Sequence, residues 1–373
     1  MRIGWASLAL MASLALAGPS AFAKPPRKVA TTTDVDLSSI EIDGKRARAP
    51  RKPKGDKIAL TLDPDLQRAA HRALAKSKAP SGAVVVSDVR TGRILAWVAI
   101  GKEGDLVRRA KYPGASLFKV ITSAALLEDD VKPATVVCYQ GGESRLQEED
   151  LRPGCHGGDS RVRFDRALGK SINAVFGKLA LAHLDQAELS TMARAFGIGA
   201  APPLDLPAQA TSTKIPADRL GLARAAAGFG DSRMSPLAAL DIMQTIANKG
   251  ERIRLRVTGS PEAAKRVSLG RVVDEQTAEK LVRMLEVTTR AGTSKKAFAP
   301  IKGKPDVSVA GKTGTLAYDK PKRLVSWFAG FAPSRDPEIA VAVLLSNDNK
   351  WWKKANEVAR EVLDAYFEKR LEK

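Results

Sequence analysis

The chain has 373 residues, of which 44% are hydrophobic, 27% charged and only 5% aromatic. That balance excludes a disordered tail, a collagen-like fibre and a disulfide-dense miniprotein, and leaves room for two domains or one domain of two lobes. With 61 Lys+Arg against 41 Asp+Glu the net charge is +20, which favours an anionic partner without choosing among nucleic acid, acidic lipid and acidic polymer.

The first residues narrow the choice. Arg2 precedes an apolar stretch over residues 5–17, a Gly18-Pro19 break and Ala21-Phe22-Ala23 ahead of Lys24. This is the layout of a secretory signal peptide, residues 1–23. The apolar core is short for a bilayer span; an uncleaved anchor is the alternative. An exported protein, periplasmic or otherwise extracytoplasmic and soluble once the leader is removed, is poorly placed to meet DNA or RNA. Residues 24–57 are rich in Pro, Thr, Lys and Arg, cluster Lys45, Arg46, Arg48, Arg51 and Lys52, and show no apolar periodicity, which predicts a flexible basic linker. Such a linker is either a solvated spacer or an electrostatic tether to an anionic wall polymer or membrane surface.

The folded part is expected over residues 58–373. Residues 58–62 alternate as a short strand, and Asp63-Pro64 reads as a helix N-cap with proline at the first helical position. Leu66, Ala69, Ala70, Ala73 and Leu74 then recur at helical spacing. Residues 83–87 and 93–100 are β-rich runs around a hairpin loop at 88–92. Helical patterns cover 117–128, 173–183, 189–196, 237–248 and 275–287. Strand-like runs at 307–310, 325–332 and 339–346 follow, with a closing helix at 357–371 and a Trp351-Trp352 pair expected to pack on a sheet. Strands at both ends with helices between predict an α/β fold of the α+β type. Its antiparallel sheet of about five strands, flanked by helices, is built from both chain ends (about 58–110 and 300–373), and an all-helical lobe (about 111–299) is inserted.

Cys138 and Cys155 are the only cysteines. In an oxidising compartment two such neighbours in sequence predict a disulfide. A metal site would be the other reading, helped by His156, but there is no C-x-x-C pair and His71 and His183 are remote. No metal or cofactor is expected.

Three short motifs carry chemistry. Ser116-Leu117-Phe118-Lys119 stands at the start of an apolar helix, where residues three apart share a face, so an amine can lie beside a hydroxyl. A serine hydroxyl needs a base, and a lysine serves only if burial or a neighbouring cation lowers its pKa. The helix start adds N–H groups where an oxyanion would form. Alone, the motif also fits a helix cap with a solvated lysine. Ser171-Ile172-Asn173 precedes another helix and carries little weight by itself. Lys312-Thr313-Gly314-Thr315 is expected just after the 307–310 strand, where Gly314 would admit a substrate backbone and the other three offer a cation and two hydroxyls to a carboxylate; a strand-end turn with a solvated lysine is the plainer alternative.

Together, in this order, S-x-x-K, S-x-N and K-T-G resemble the signature of the penicillin-binding proteins and serine β-lactamases. Their intervals, and segments such as Ser235-Pro236-Leu237 running to Ile246-Ala247-Asn248, resemble the transpeptidase domain of high-molecular-weight penicillin-binding proteins over about residues 58–370. The resemblance implies Ser116 as acylated nucleophile, Lys119 as its base and Ser171 as proton relay to the leaving amine. It implies Asn173 as a holder of the substrate amide, Lys312 as a source of positive potential, and Thr313 and Thr315 as binders of a terminal carboxylate beside Gly314. Backbone N–H groups of Ser116 and Thr315 would form the oxyanion hole. The implied substrate is a peptidoglycan stem peptide ending in D-Ala-D-Ala, with β-lactam antibiotics as mimics, and the implied activity is D,D-transpeptidase or D,D-carboxypeptidase.

Two features depart from that pattern. Family members of high molecular weight usually carry a membrane anchor and a pedestal domain before this module, where a leader and short basic linker are expected here. Gly228-Phe229-Gly230 stands where the family usually has G-Q-G. The rivals are a serine β-lactamase of the class D kind, which shares the acylation machinery, and a non-catalytic penicillin-sensing or wall-binding module. No E-x-x-L-N motif follows Asn173, and Asn173 stands where class D enzymes have a valine, so slow deacylation by water is expected.

Overall fold

The computed structural model describes residues 34–53, 55–143, 145–263, 265–319 and 322–371. The expected leader and residues 24–33 of the expected linker lie outside the described residues. From Asp34 onward that linker is not structureless: β1 (Glu41–Asp43), β2 (Arg46–Pro50) and β3 (Lys57–Leu60) form a three-stranded antiparallel sheet. Ala47 pairs with Leu60 and Ala49 with Ile58. Ala47 and Ala49 are buried with Val35 and Leu37, while Arg46 and Arg48 alternate with them in the open. The period of a strand is therefore present in the sequence. Its buried members are alanines, too small to stand out between arginines that read as a charge run.

α1 (Pro64–Lys76) begins where the sequence predicts, because the Asp63 carboxylate accepts from the backbone N–H groups of Asp65 and Leu66 and satisfies donors a helix start leaves orphaned. β4 (Ser81–Asp88) and β5 (Ile94–Ile100) form a hairpin. The inserted lobe then runs through β6 (Tyr112–Pro113), a 3₁₀ turn at Ala115–Leu117, α2 (Phe118–Glu128), β7 (Val136–Tyr139) and β8 (Ser160–Arg163). It continues with α3 (Phe164–Lys170), α4 (Asn173–His183), α5 (Gln186–Ala195), α6 (Arg219–Ala226), β9 (Arg233–Met234), α7 (Pro236–Ala247), β10 (Glu251–Ile253), β11 (Ser268–Arg271) and α8 (Glu275–Arg290). β12 (Ala310–Asp319), β13 (Lys322–Ala332), β14 (Ile339–Asn347) and α9 (Ala355–Leu371) follow. The lobe is thus not all-helical, since β6 pairs with β9, β7 with β8 and β10 with β11. β8 and β11 contain no buried residue, so no apolar alternation marks them.

The main sheet is antiparallel, in the order β12-β13-β14-β4-β5, so both chain ends do build it. It is buried on both faces, which is why its central strands read as continuous apolar runs. Val84, Val86, Val341, Val343 and Phe328 point to one face, against Leu66, Ala70 and Leu74 of α1 and Val358, Ala359 and Val362 of α9. Their neighbours Ala83, Val85, Ala342, Leu344 and Trp327 point to the other, against the inserted lobe. All of α7 is buried there, its polar Asp241, Gln244 and Thr245 included.

Two expectations fail locally. Of the strand expected at 307–310 only Ala310 belongs to β12; Val309 is held by α8, whose Thr289 hydroxyl donates to its carbonyl at 2.6 Å. Lys312-Thr313-Gly314-Thr315 consequently lies inside an edge strand rather than after one. Trp352 is 54% exposed with the Lys350 ammonium 3.7 Å from its ring centre, so it does not pack on the sheet. No helix among the described residues is long and apolar enough to cross a membrane.

Ala49→Asp tests whether the basic segment is folded. An unpaired charge at this buried position is expected to remove about 3 kcal/mol of stability or more in urea unfolding; a solvated linker would leave the midpoint unmoved.

Candidate active site

The turn that presents Ser116 is fixed from several sides. β6 pairs with β9, the Gly114 N–H donates to Ser232 O at 2.9 Å, and the Trp327 indole N–H donates to Pro113 O at 3.0 Å. Ala115 has φ +47°, a left-handed conformation uncommon for a residue with a side chain. Gly228, at φ +84°, packs so closely that a Cβ there would stand 2.3 Å from Ala115 O. Gly314 of β12 faces the same turn, where a Cβ would come 3.3 Å from Gly114 O and 3.4 Å from Ala115 Cβ. The K-T-G glycine therefore brings the sheet edge against the Ser116 turn itself.

Lys119, one helical turn beyond Ser116, is fully buried on α2. Its Nζ lies 2.9 Å from Ser116 Oγ, 2.7 Å from Asn173 Oδ1 and 2.6 Å from Ala227 O. Burial, and then the nearby charge of Lys312, hold its pKa well below the ordinary lysine value. Hydrogen-bond chemistry then assigns the roles. The two carbonyl oxygens can only accept, so a neutral amine gives them its two N–H groups and keeps its lone pair for Ser116 Oγ–H.

A second group meets this one at the sheet edge. Ser171 caps α3 with φ 61°, another left-handed side-chain-bearing residue, and its Oγ accepts from Lys312 Nζ at 2.9 Å. Lys312 also donates to Thr313 O at 2.9 Å. It is fully buried, and burial pushes its pKa down to about 7. Thr313 shares a 2.6 Å hydroxyl–hydroxyl hydrogen bond with Thr293, whose N–H donates to Gly169 O at 3.1 Å, two residues from Ser171. Ser116, Ser171, Asn173, Thr293, Thr313, Gly314 and Thr315 all line one cleft of about 550 Å³. The motifs of the sequence are thus gathered in one place, as expected.

Asn173 differs in detail. Its Nδ2 already donates to Gly142 O at 2.8 Å and Glu143 O at 2.7 Å, and Oδ1 accepts from Lys119, so only an Oδ1 lone pair is left for a ligand. Thr293 and Glu143 were not legible in the sequence, because each is brought to the cleft by a turn without a motif. Phe229 also lines the cleft and is 39% exposed. Cys138 and Cys155 form a disulfide with a Cα separation of 5.2 Å. No group of three potential metal ligands occurs among the described residues.

Residues 82–364 match the family model of the penicillin-binding protein transpeptidase domain. The chain belongs to that family. Among similar members, peptidoglycan D,D-transpeptidase PbpA of Mycobacterium tuberculosis is 31% identical over 347 residues, taking in 80% of this chain and 68% of that protein. Peptidoglycan D,D-transpeptidase FtsI of Escherichia coli is 28% identical over 316 residues, 78% of this chain and 52% of that protein. The solved imipenem acyl-enzyme complex of penicillin-binding protein A from M. tuberculosis superposes with a TM-score of 0.69 at 28% identity, covering 85% of this chain and 81% of that one. The α+β fold of this penicillin-binding transpeptidase domain is therefore the fold of its family.

A depressed lysine pKa has a consequence for stability. Between about 7 in the folded state and the ordinary 10.5, the unfolded chain binds the proton of Lys312 that the folded chain has lost, so stability rises with pH in that window. Lys312→Met is expected to lower this slope by about 1.4 kcal/mol per pH unit, measured by urea unfolding across the window; an unchanged slope would mean that Lys312 stays charged in the folded protein.

Proposed function

We propose that this protein is an exported serine D,D-transpeptidase or D,D-carboxypeptidase that acts on D-Ala-D-Ala stem peptides of peptidoglycan through a Ser116 acyl-enzyme. The observation that carries the reading is the buried Lys119 amine, 2.9 Å from Ser116 Oγ with its other two partners limited to carbonyl oxygens. Lys119 takes the Ser116 proton as Oγ attacks the carbonyl carbon of the penultimate D-Ala. Backbone N–H groups of Ser116 and Thr315 receive the oxyanion, each such donor being worth about 3 kcal/mol in the transition state.

The C–N bond then breaks. Ser171, whose oxygen accepts from Lys312, donates its own proton to the leaving amine and is reprotonated from the lysine pair, so the proton lost by Ser116 ends on D-Ala. Thr313, Thr315 and the Lys312 potential hold the terminal carboxylate, with Thr293 fixing the Thr313 hydroxyl. Asn173 orients Lys119 and offers its remaining Oδ1 lone pair to a substrate amide N–H. A leader over residues 1–23 directs export, and the basic segment after it supplies electrostatic contact with an anionic wall or membrane surface. One relative, penicillin-binding protein A of M. tuberculosis, is solved as acyl-enzymes with imipenem and with ceftriaxone, which supports β-lactams as covalent mimics here.

Fluorescent penicillin is expected to label the mature protein on Ser116, and Ser116→Ala to abolish labelling, as read by intact-protein mass. Absence of an adduct on the wild-type protein would refute the reading. An adduct lasting tens of minutes marks a penicillin-binding protein, whereas loss within seconds marks a β-lactamase. An adduct without product from a D-Ala-D-Ala peptide marks a sensor.

A further inference from the structure

Among the described residues that line the Ser116 cleft, Glu143 is the only carboxylate. That is unusual company in a chain of net charge +20. Its place is built rather than incidental. The loop that carries it lies between β7 and β8, and the Cys138–Cys155 disulfide ties the β7 end of that loop to its return limb. Gly141 and Gly142 turn the chain with φ 66° and 72°. The carbonyls of Gly142 and Glu143 then accept both N–H groups of Asn173, so the Glu143 backbone is locked to the residue that orients Lys119.

The side chain is exposed, and no lysine or arginine among the described residues pairs with it. The β12 wall of the cleft offers hydroxyls from Thr313 and Thr315, with Lys312 behind them, and suits the anionic end of the donor. The Asn173 side of the cleft offers a negative charge, which cannot hold the donor's terminal carboxylate. The second substrate of a transpeptidase is an amine, which arrives as an ammonium ion.

We propose that Glu143 is the acceptor-recognition residue: its carboxylate draws a primary ammonium group to the open side of the Ser116 ester and so favours aminolysis over hydrolysis. The proposal rests on the Ser116 acyl-enzyme reading. In the step, the ammonium releases one proton to solvent and its nitrogen attacks the ester carbonyl carbon. The bond from that carbon to Ser116 Oγ breaks, and a second proton leaves nitrogen and passes through Lys119 to Ser116 Oγ, yielding an amide and free serine.

The test uses the full chain, a D-Ala-D-Ala donor peptide and two acceptors: D-alaninamide, which is cationic at neutral pH, and hydroxylamine, which is not. Glu143→Gln is expected to lower the efficiency of D-alaninamide relative to hydroxylamine roughly fivefold, mainly through KM, as for an exposed charge pair. The wild-type preference should fade with added salt and that of the variant should not, and Glu143→Asp should restore part of it. An equal effect on both acceptors, or none on either, overturns the proposal. So does a longer-lived penicilloyl adduct in Glu143→Gln, since it would assign Glu143 to activating water. Failure of penicillin to label wild-type Ser116 is a separate result, which removes the underlying reading.

Discussion

The fold buries two lysine side chains close enough for the charge of one to act on the other. Lys119 and Lys312 are completely buried, and the partners of their nitrogens are neutral oxygens: hydroxyls of Ser116 and Ser171, the amide of Asn173 and two backbone carbonyls. Desolvation penalises each charge, and no carboxylate among these partners offsets it. Dryness and the neighbouring lysine therefore both push Lys119, beside the Ser116 hydroxyl, toward its neutral form. The arrangement works against stability at neutral pH, in the way functional sites commonly do.

That dryness depends on the sheet edge. β12 is the outermost strand of the main sheet, so its free side can take an extended peptide as an added strand, while Lys312 on it reaches inward beneath the cleft. Gly314 brings this edge close to the Ser116 turn, while Gly228 packs on the same turn from the inserted lobe, where a Cβ would stand 2.3 Å from Ala115 O. The left-handed Ala115 and Ser171 both line the cleft, a place where such outliers tend to collect.

The inserted lobe contributes the other wall and, with it, what distinguishes this cleft. Its disulfide-tied loop reaches Asn173 and brings a carboxylate to the same cleft as the threonine-bearing strand. The Gly228-Phe229-Gly230 segment adds an exposed aromatic ring to the lining. A carboxylate from the inserted lobe and threonine hydroxyls from the sheet edge thus line one cleft.

Reading the chain residue by residue suffices for α1, α2, α4, α5, α7, α8 and α9, for a sheet built from both chain ends and for every motif residue that the cleft contains, but not for α3, α6 or the course of β12. These signals are local: the Asp63-Pro64 cap, apolar runs in strands buried on both faces, and an i,i+3 serine and lysine on one helix. The small N-terminal sheet escaped because alanines carry its buried face, and the hairpins of the inserted lobe escaped because hardly any of their residues are buried. Only the tertiary structure decided that K-T-G lies within an edge strand, that Asn173 is already committed to Lys119 and the Gly142-Glu143 carbonyls, and that Thr293 and Glu143 border the cleft. The physical reason is that periodicity reports which face of an element is dry. The partner of a buried polar atom is set by chain segments far away in sequence, and no local pattern encodes it.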